Sequence, residues 1–151
     1  MNESQRLGAI AERRLEIVSV FRLRSDALLG VFAGQPELGL GDFENYRRLS
    51  PRDRLPTYLN GIGEAYFFAR RFDEAAASLL ASLDLAPNFP VTYRVLASCY
   101  VHLGRLAEAR DVVRRLRTIT PAIMEPAMRY RNPELREMFL SGLRLAAADV
   151  N

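Results

Sequence analysis

Apolar side chains recur near the start of the chain at alternating spacings of three and four, through Leu7, Ile10, Ile17, Phe21, Leu28 and Val31. That period keeps them on one side of an α-helix. It predicts an amphipathic helix, or two, through residues 4–33, with Arg14 and Arg24 interrupting the stripe in the same register. Gly34-Gln35-Pro36 and Gly39-Leu40-Gly41 then predict a loop. Near the other end, Leu135, Met138, Phe139 and Leu143 form a second apolar face behind Asn132-Pro133-Glu134. That tripeptide is a helix start, with Asn132 as N-cap and Pro133 at the first helical position. The link from Ala122 to Arg131, which contains Pro126, is expected to be irregular or a short turn.

Between these flanks the pattern repeats. Pro87 and Pro121 lie 34 residues apart. Registering both segments on that proline aligns Leu59, Ile62, Gly63, Tyr66, Ala75 and Leu79 with Tyr93, Leu96, Ala97, Tyr100, Ala109 and Val113. The turns match as well, Arg70-Arg71-Phe72-Asp73-Glu74-Ala75 against Gly104-Arg105-Leu106-Ala107-Glu108-Ala109. These residues fall on the W-x2-LG-x2-Y…A-x3-F…P positions of the tetratricopeptide repeat, and the sequence is identified as a member of that family. Each matched residue has a physical task. Gly63, Ala97, Ala75 and Ala109 are small where two helices approach closely, Tyr66 and Tyr100 fill the space beside them, and Leu79 and Val113 supply the apolar stripe of each second helix. Pro87 and Pro121 stop those helices. Four antiparallel helices are predicted, over 57–69, 73–86, 91–103 and 107–119, making two repeats at 56–89 and 90–121. Two repeats are too few to stand alone, so residues 122–151 are expected to supply a capping helix. In residues 1–50, Gly41-Asp42-Phe43-Glu44 imitates the repeat turn and Leu49-Ser50-Pro51 its end. Only seven residues separate Phe43 from Ser50, where the full repeats allow fourteen, which predicts an eroded repeat missing two helical turns. The expected fold is all-α, a helical-hairpin solenoid of tetratricopeptide type with an N-terminal helix and a C-terminal cap, forming a single domain.

The order of the pieces also resembles something narrower. Leu49-Ser50-Pro51-Arg52-Asp53, two repeats, and the string from Tyr130-Arg131-Asn132-Pro133 to Gly142-Leu143-Arg144 resemble the C-terminal tetratricopeptide region of bacterial class III adenylate cyclases and of related regulators with winged-helix domains. The likeness covers roughly residues 49–146. That region ends in a Gly-Leu-Arg-x-Ala-Gly-Leu-Pro tail, from which this chain departs at Ala147-Ala148-Asp149. The cyclase catalytic domain with its metal-binding carboxylates is not among these residues. The resemblance implies a regulatory or interaction segment without cyclase activity.

Composition narrows the classes that remain. A chain of 151 residues with 49% hydrophobic and 26% charged residues fits one ordinary globular domain. The uncharged stretch Ala27–Pro36 is ten residues, short of the ~18–20 that span a bilayer. Met1-Asn2-Glu3-Ser4-Gln5 lacks the features of a secretory signal, and the lone Cys99 forms no internal disulfide, so the expectation is a cytoplasmic protein. The net charge of +3 suggests nucleic acid until its distribution is examined. Arginines balance acids everywhere except residues 88–121, where six face two. Arg110, Arg114 and Arg117 share a face there, flanked by Arg105 and Arg115, and form a candidate anionic-partner face, but the interleaved aromatics of a single-strand binder are missing, so a solvated outer face is the better reading.

Candidate chemistry is sparse. Cys99 and His102 are the only Cys/His pairing, three residues apart on one helix. No second ligand pair accompanies them, so a buried thiol beside a surface imidazole is the better reading. Gly61-Ile62-Gly63 opens a dinucleotide fingerprint that Tyr66 breaks. Asp73 and Glu74 stand at a helix start, where acids favour the macrodipole. The expectation is therefore no enzyme, no metal and no cofactor. What remains is a groove. In the family, the first helices of successive repeats line a concave face, and carrying those positions over gives Asn60, Glu64, Phe67, Phe68, Arg94, Ser98, Val101 and His102 as a partner-binding set suited to a peptide or a helix, with packing under the N-terminal helix the equal alternative for Phe67 or Phe68. The basic clamp of chaperone-binding relatives is not matched, since Glu64 stands where an amide is expected. The resulting expectation is a non-enzymatic interaction module in bacterial signalling or regulation, binding a protein or peptide partner or forming a homodimer. The alternative is a regulatory or dimerisation segment of a cyclase-like protein, and a third reading is an anion or nucleic-acid binder.

Overall fold

The computed structural model describes residues 2–52, 55–124 and 130–150, apart from the side chains of 16–21, 23 and 24. Seven helices are present among the described residues: α1 Glu3–Phe32, α2 Pro36–Leu49, α3 Pro56–Phe68, α4 Phe72–Leu85, α5 Pro90–His102, α6 Leu106–Arg117 and α7 Pro133–Ala147. They pack as three hairpins, α1/α2, α3/α4 and α5/α6, stacked in chain order, with α7 laid across α5 and α6. The four repeat helices appear where the sequence predicts them, each beginning one residue early. Pro56 and Pro90 open α3 and α5, where the missing N–H costs nothing. Asn132 caps α7 as expected, its Oδ1 accepting from the N–H groups of Glu134 and Leu135 at 2.9 and 3.2 Å.

The N-terminal flank corrects the sequence reading. Gly39, Leu40 and Gly41 lie inside α2 rather than in a loop, and α2 is 14 residues long, the same as α4. No helical turn is missing. The turn of this hairpin is at Gly34, not at Phe43. Gly34, Arg70 and Gly104 all have positive φ, 86°, 61° and 74°. Each donates its N–H to the carbonyl three residues back, and the next residue reaches five back: Gly34 to Val31 and Gln35 to Gly30, Arg70 to Phe67 and Arg71 to Tyr66, Gly104 to Val101 and Arg105 to Tyr100. Registered on that turn, Ala27, Gly39, Phe43 and Pro51 fall on Gly63, Ala75, Leu79 and Pro87, and then on Ala97, Ala109, Val113 and Pro121. The first hairpin is thus a third full repeat. Its link to α3 has six residues, 50–55, where four, 86–89, join α4 to α5.

Small residues set the helix spacing in each hairpin. A Cβ on Gly63 would lie 2.7 Å from Leu79 Cδ2, and one on Gly39 would lie 2.8 Å from the Ala27 carbonyl oxygen. Phe43, Leu79 and Val113, the equivalent residues of the three second helices, are all fully buried.

α1 is far longer than its partner. Thirty residues span ~45 Å against ~21 Å for α2, and residues 2–15 are exposed throughout. Leu7 and Ile10 are therefore solvent-facing, whereas Leu28 is half-buried and Val31 is buried. Ile17, Phe21 and Arg24 have side chains outside the description, as does all of Pro126.

Candidate binding groove

The eight expected residues lie on α3 and α5, the first helices of two successive hairpins. Asn60 and Glu64, four apart on α3, point the same way, and Asn60 Nδ2 donates to Glu64 Oε1 at 2.7 Å. Thr92 of α5 donates through Oγ1 to Asn60 Oδ1 at 2.8 Å. This carboxylate-amide-hydroxyl chain is buried, with Glu64 only 1% exposed, and such a group is stable there only when its hydrogen bonds are made.

The groove is not open, and this is the main correction to the expected partner-binding set. Tyr130, just before α7, donates its hydroxyl to Glu64 Oε2 at 2.9 Å. Its ring packs edge-on against Phe68, Phe139 and Phe32 at 4.7, 5.4 and 6.0 Å between centroids. Arg94 donates from Nε to the Ile123 carbonyl at 3.0 Å and from Nη2 to the Ala122 carbonyl at 2.6 Å. Ser98 Oγ donates to the Phe139 carbonyl at 3.0 Å, and His102 Nε2 lies 2.9 Å from the Met138 carbonyl. Phe67 is fully buried against Phe68, Phe72 and His102. Of the eight, Val101 is half-buried and His102 alone is exposed. These side chains of α3 and α5 hold the chain's own C-terminal segment.

Tyr130 and Thr92 are the members of this hydrogen-bonded chain that sequence reasoning missed. An aromatic residue two positions before a capped helix was the available signal for Tyr130. Thr92 had none, because hydroxyls at helix starts are common.

The remaining candidates disperse. Cys99 Sγ reaches the Phe72 carbonyl at 3.1 Å, while the His102 ring stacks on Phe72 at 5.1 Å, so the two do not act as a pair. Burial pushes the Cys99 thiol up to about 12, the wrong direction for a nucleophile. Gly61 is packed against Leu28 and Phe43 inside the stack. Glu74 forms a two-pronged pair with Arg71 at the turn, and Glu108 does the same with Arg105, whose hydrogen bond holds the Glu108 carboxyl below its usual range. The arginine face is divided too. Arg110 turns toward Asp149 at 3.8 Å, Arg114 pairs with Asp111, and Arg117 is exposed. Among the described residues no group of His, Cys, Asp and Glu is arranged to hold a metal ion.

Comparison with known proteins agrees with this architecture. Residues 63–125 match the family model for the tetratricopeptide repeat. No curated protein matches the chain. Among solved structures, the crystal structure of MamA is 17% identical, with a TM-score of 0.64 over 84% of this chain and 75% of that one. The first tetratricopeptide domain of Spaghetti (RPAP3), bound to the HSP90 peptide SRMEEVD, is 16% identical, with a TM-score of 0.60 over 85% of this chain and 96% of that one. The TPR2AB domain of yeast Sti1 in complex with an HSP90 peptide is 15% identical, with a TM-score of 0.60 over 94% of this chain and 57% of that one. The fold is an all-α helical-hairpin solenoid of tetratricopeptide type, and residues 63–125 are the part that matches the repeat model.

Proposed function

We propose that the chain is a non-enzymatic protein-interaction module whose concave groove takes a partner segment in exchange for its own C-terminal segment. The observation that carries this is the manner of the grip. Arg94, Ser98 and His102 meet main-chain carbonyls, at Ala122, Ile123, Phe139 and Met138. Any segment presents such carbonyls, so the seat does not depend on one occupant's side chains. Specificity falls to the aromatic slot filled by Tyr130 and to Glu64 beneath it. A partner that reproduces these contacts carries an aromatic residue with a hydroxyl donor. An acidic tail such as SRMEEVD would set like charge against Glu64, which separates this groove from the HSP90-peptide complexes it resembles in fold.

The likeness of residues 49–146 to the C-terminal region of bacterial class III adenylate cyclases supports a setting in bacterial signalling or regulation, in the cytoplasm. It equally supports the alternative, a regulatory segment of a cyclase-like protein. An anion-binding role for Arg110, Arg114 and Arg117 has less support, since two of the three face carboxylates already.

A labelled peptide spanning Tyr130–Ala147 tests the groove. Tethering gives the internal segment a millimolar effective concentration, so the parent chain should take up the peptide weakly. A Tyr130→Ala/Phe139→Ala variant, whose own segment is loosened, should bind it about 100-fold more tightly by fluorescence anisotropy. A variant that keeps its helical circular dichroism yet binds no better than the parent would refute the exchange.

A further inference from the structure

The stack of hairpins has two ends, and among the described residues only the C-terminal one is covered. α7 lies over α5 and α6 and closes the C-terminal end. At the N-terminal end, the position occupied by Ala65 in α3 and Cys99 in α5 is Leu29 in α1. Ala65 and Cys99 are fully buried, whereas Leu29 is 63% exposed. Inside the stack this side of the first helix is tightly covered by the preceding hairpin. A Cβ on Gly61 would lie 2.8 Å from the Phe43 ring, and Cys99 Sγ touches the Phe72 carbonyl. Leu15 and Arg22 stand at heptad spacing from Leu29 on the same side of α1, and both are exposed. The uncovered side therefore continues from the end of the stack along the overhang, and a solitary helix of such length is marginal in water.

We propose that this end face docks a second copy of the chain, with α1 against α1 in antiparallel orientation about a two-fold axis. The proposal is independent of the groove. The closed C-terminal end selects the copy's orientation: head-to-tail stacking is blocked by α7, so two chains meet open end to open end and form a closed pair rather than a filament. Charge selects the antiparallel arrangement. Arg22 and Asp26 are 82% and 53% exposed and lie 3.8 Å apart within α1. Parallel helices would set Arg22 against Arg22, while an antiparallel copy, with the axis passing between the two residues, sets each Arg22 beside the other's Asp26.

Sedimentation equilibrium of the full chain from micromolar to millimolar concentration tests this. The expected mass levels at twice 17.1 kDa. Leu29→Arg and Leu15→Glu should each raise the dissociation constant at least ~10-fold while leaving the melting curve of the monomer unchanged, because both residues lie on the surface. Leu80→Arg, on the exposed side of α4, should leave the pair intact. A constant mass of 17.1 kDa, a mass that climbs past two chains, or a dimer indifferent to Leu29→Arg and Leu15→Glu would each overturn the proposal.

Discussion

Gly142 sits in α7 where that helix crosses α5, and replacing it with alanine measures how closely the C-terminal segment is seated. The added Cβ would lie 2.2 Å from Ser98 Oγ and 3.0 Å from Ser98 Cα. Ordinary contact begins near 3.4 Å, so α7 must withdraw by about 1 Å, and the Ser98 hydroxyl then loses the Phe139 carbonyl it holds at 3.0 Å. Overpacking of this kind costs about 1–3 kcal/mol, and a buried hydroxyl and carbonyl left without each other add about 1–3 kcal/mol. Against this, alanine is the better helix former by about 1 kcal/mol. The net loss expected is about 1–5 kcal/mol, a fall in Tm of about 2–20 °C for a domain of this size. Thermal and urea melts followed by circular dichroism provide the measurement. Ser98→Gly in the same chain removes the nearest atoms, so the two substitutions together should cost less than the sum of each alone. A Gly142→Ala variant that melts higher than the parent, or strict additivity with Ser98→Gly, would show that α7 is not in contact at this point.

Three further outcomes are expected. Gly39→Ala, whose Cβ would meet the Ala27 carbonyl and Val31 at under 3 Å, should destabilise by about 1–3 kcal/mol, whereas Gly41→Ala, two residues along α2 with nothing within 4 Å, should stabilise by about 0.5–1 kcal/mol; urea melts that rank them otherwise would remove α1/α2 from the set of true hairpins. Tyr130→Phe keeps the ring contacts but withdraws the hydroxyl from Glu64, and should cost about 1–3 kcal/mol; an unchanged melting curve would mean that the bond contributes nothing. Cys99 should resist a thiol reagent at pH 8 until the chain is unfolded in urea. The folded thiol keeps its proton up to about 12 while the unfolded one titrates near 9, so its contribution to stability is complete below pH 9 and is lost as the pH rises from 9 toward 12. Rapid labelling of the folded chain would contradict the burial.

The two central repeats were legible because each is written in local terms: Gly63 against Leu79, and a turn that Arg71 and Glu74 fasten. The first hairpin obeys the same geometry but lacks those signs. Gln35 and Leu38 stand where the later turns have an arginine and a glutamate, and Gly39 reads as a helix breaker until the approach of Ala27 shows why nothing larger fits. Glycine has two meanings in sequence, freedom and closeness, and only packing distinguishes them. The groove shows a different boundary. Its wall was visible because residues four apart on one helix share a face. Its occupant was not, because Tyr130 meets Glu64 across 66 residues and no local pattern records that meeting.

Chain order gives the seating of α7 a temporal side. α5 is finished at His102 and α7 only at Ala147. At about 5–20 residues per second, synthesis of the intervening stretch occupies about 2–9 s. For the earlier part of that interval, before Ala122, Ile123 and Tyr130 are made, Phe68 and Arg94 stand without the ring and the carbonyls that later engage them, so the growing polypeptide exposes to its surroundings a surface that the released molecule keeps for itself. Any factor that engages nascent chains therefore meets the groove before the protein's own C-terminal segment can fill it.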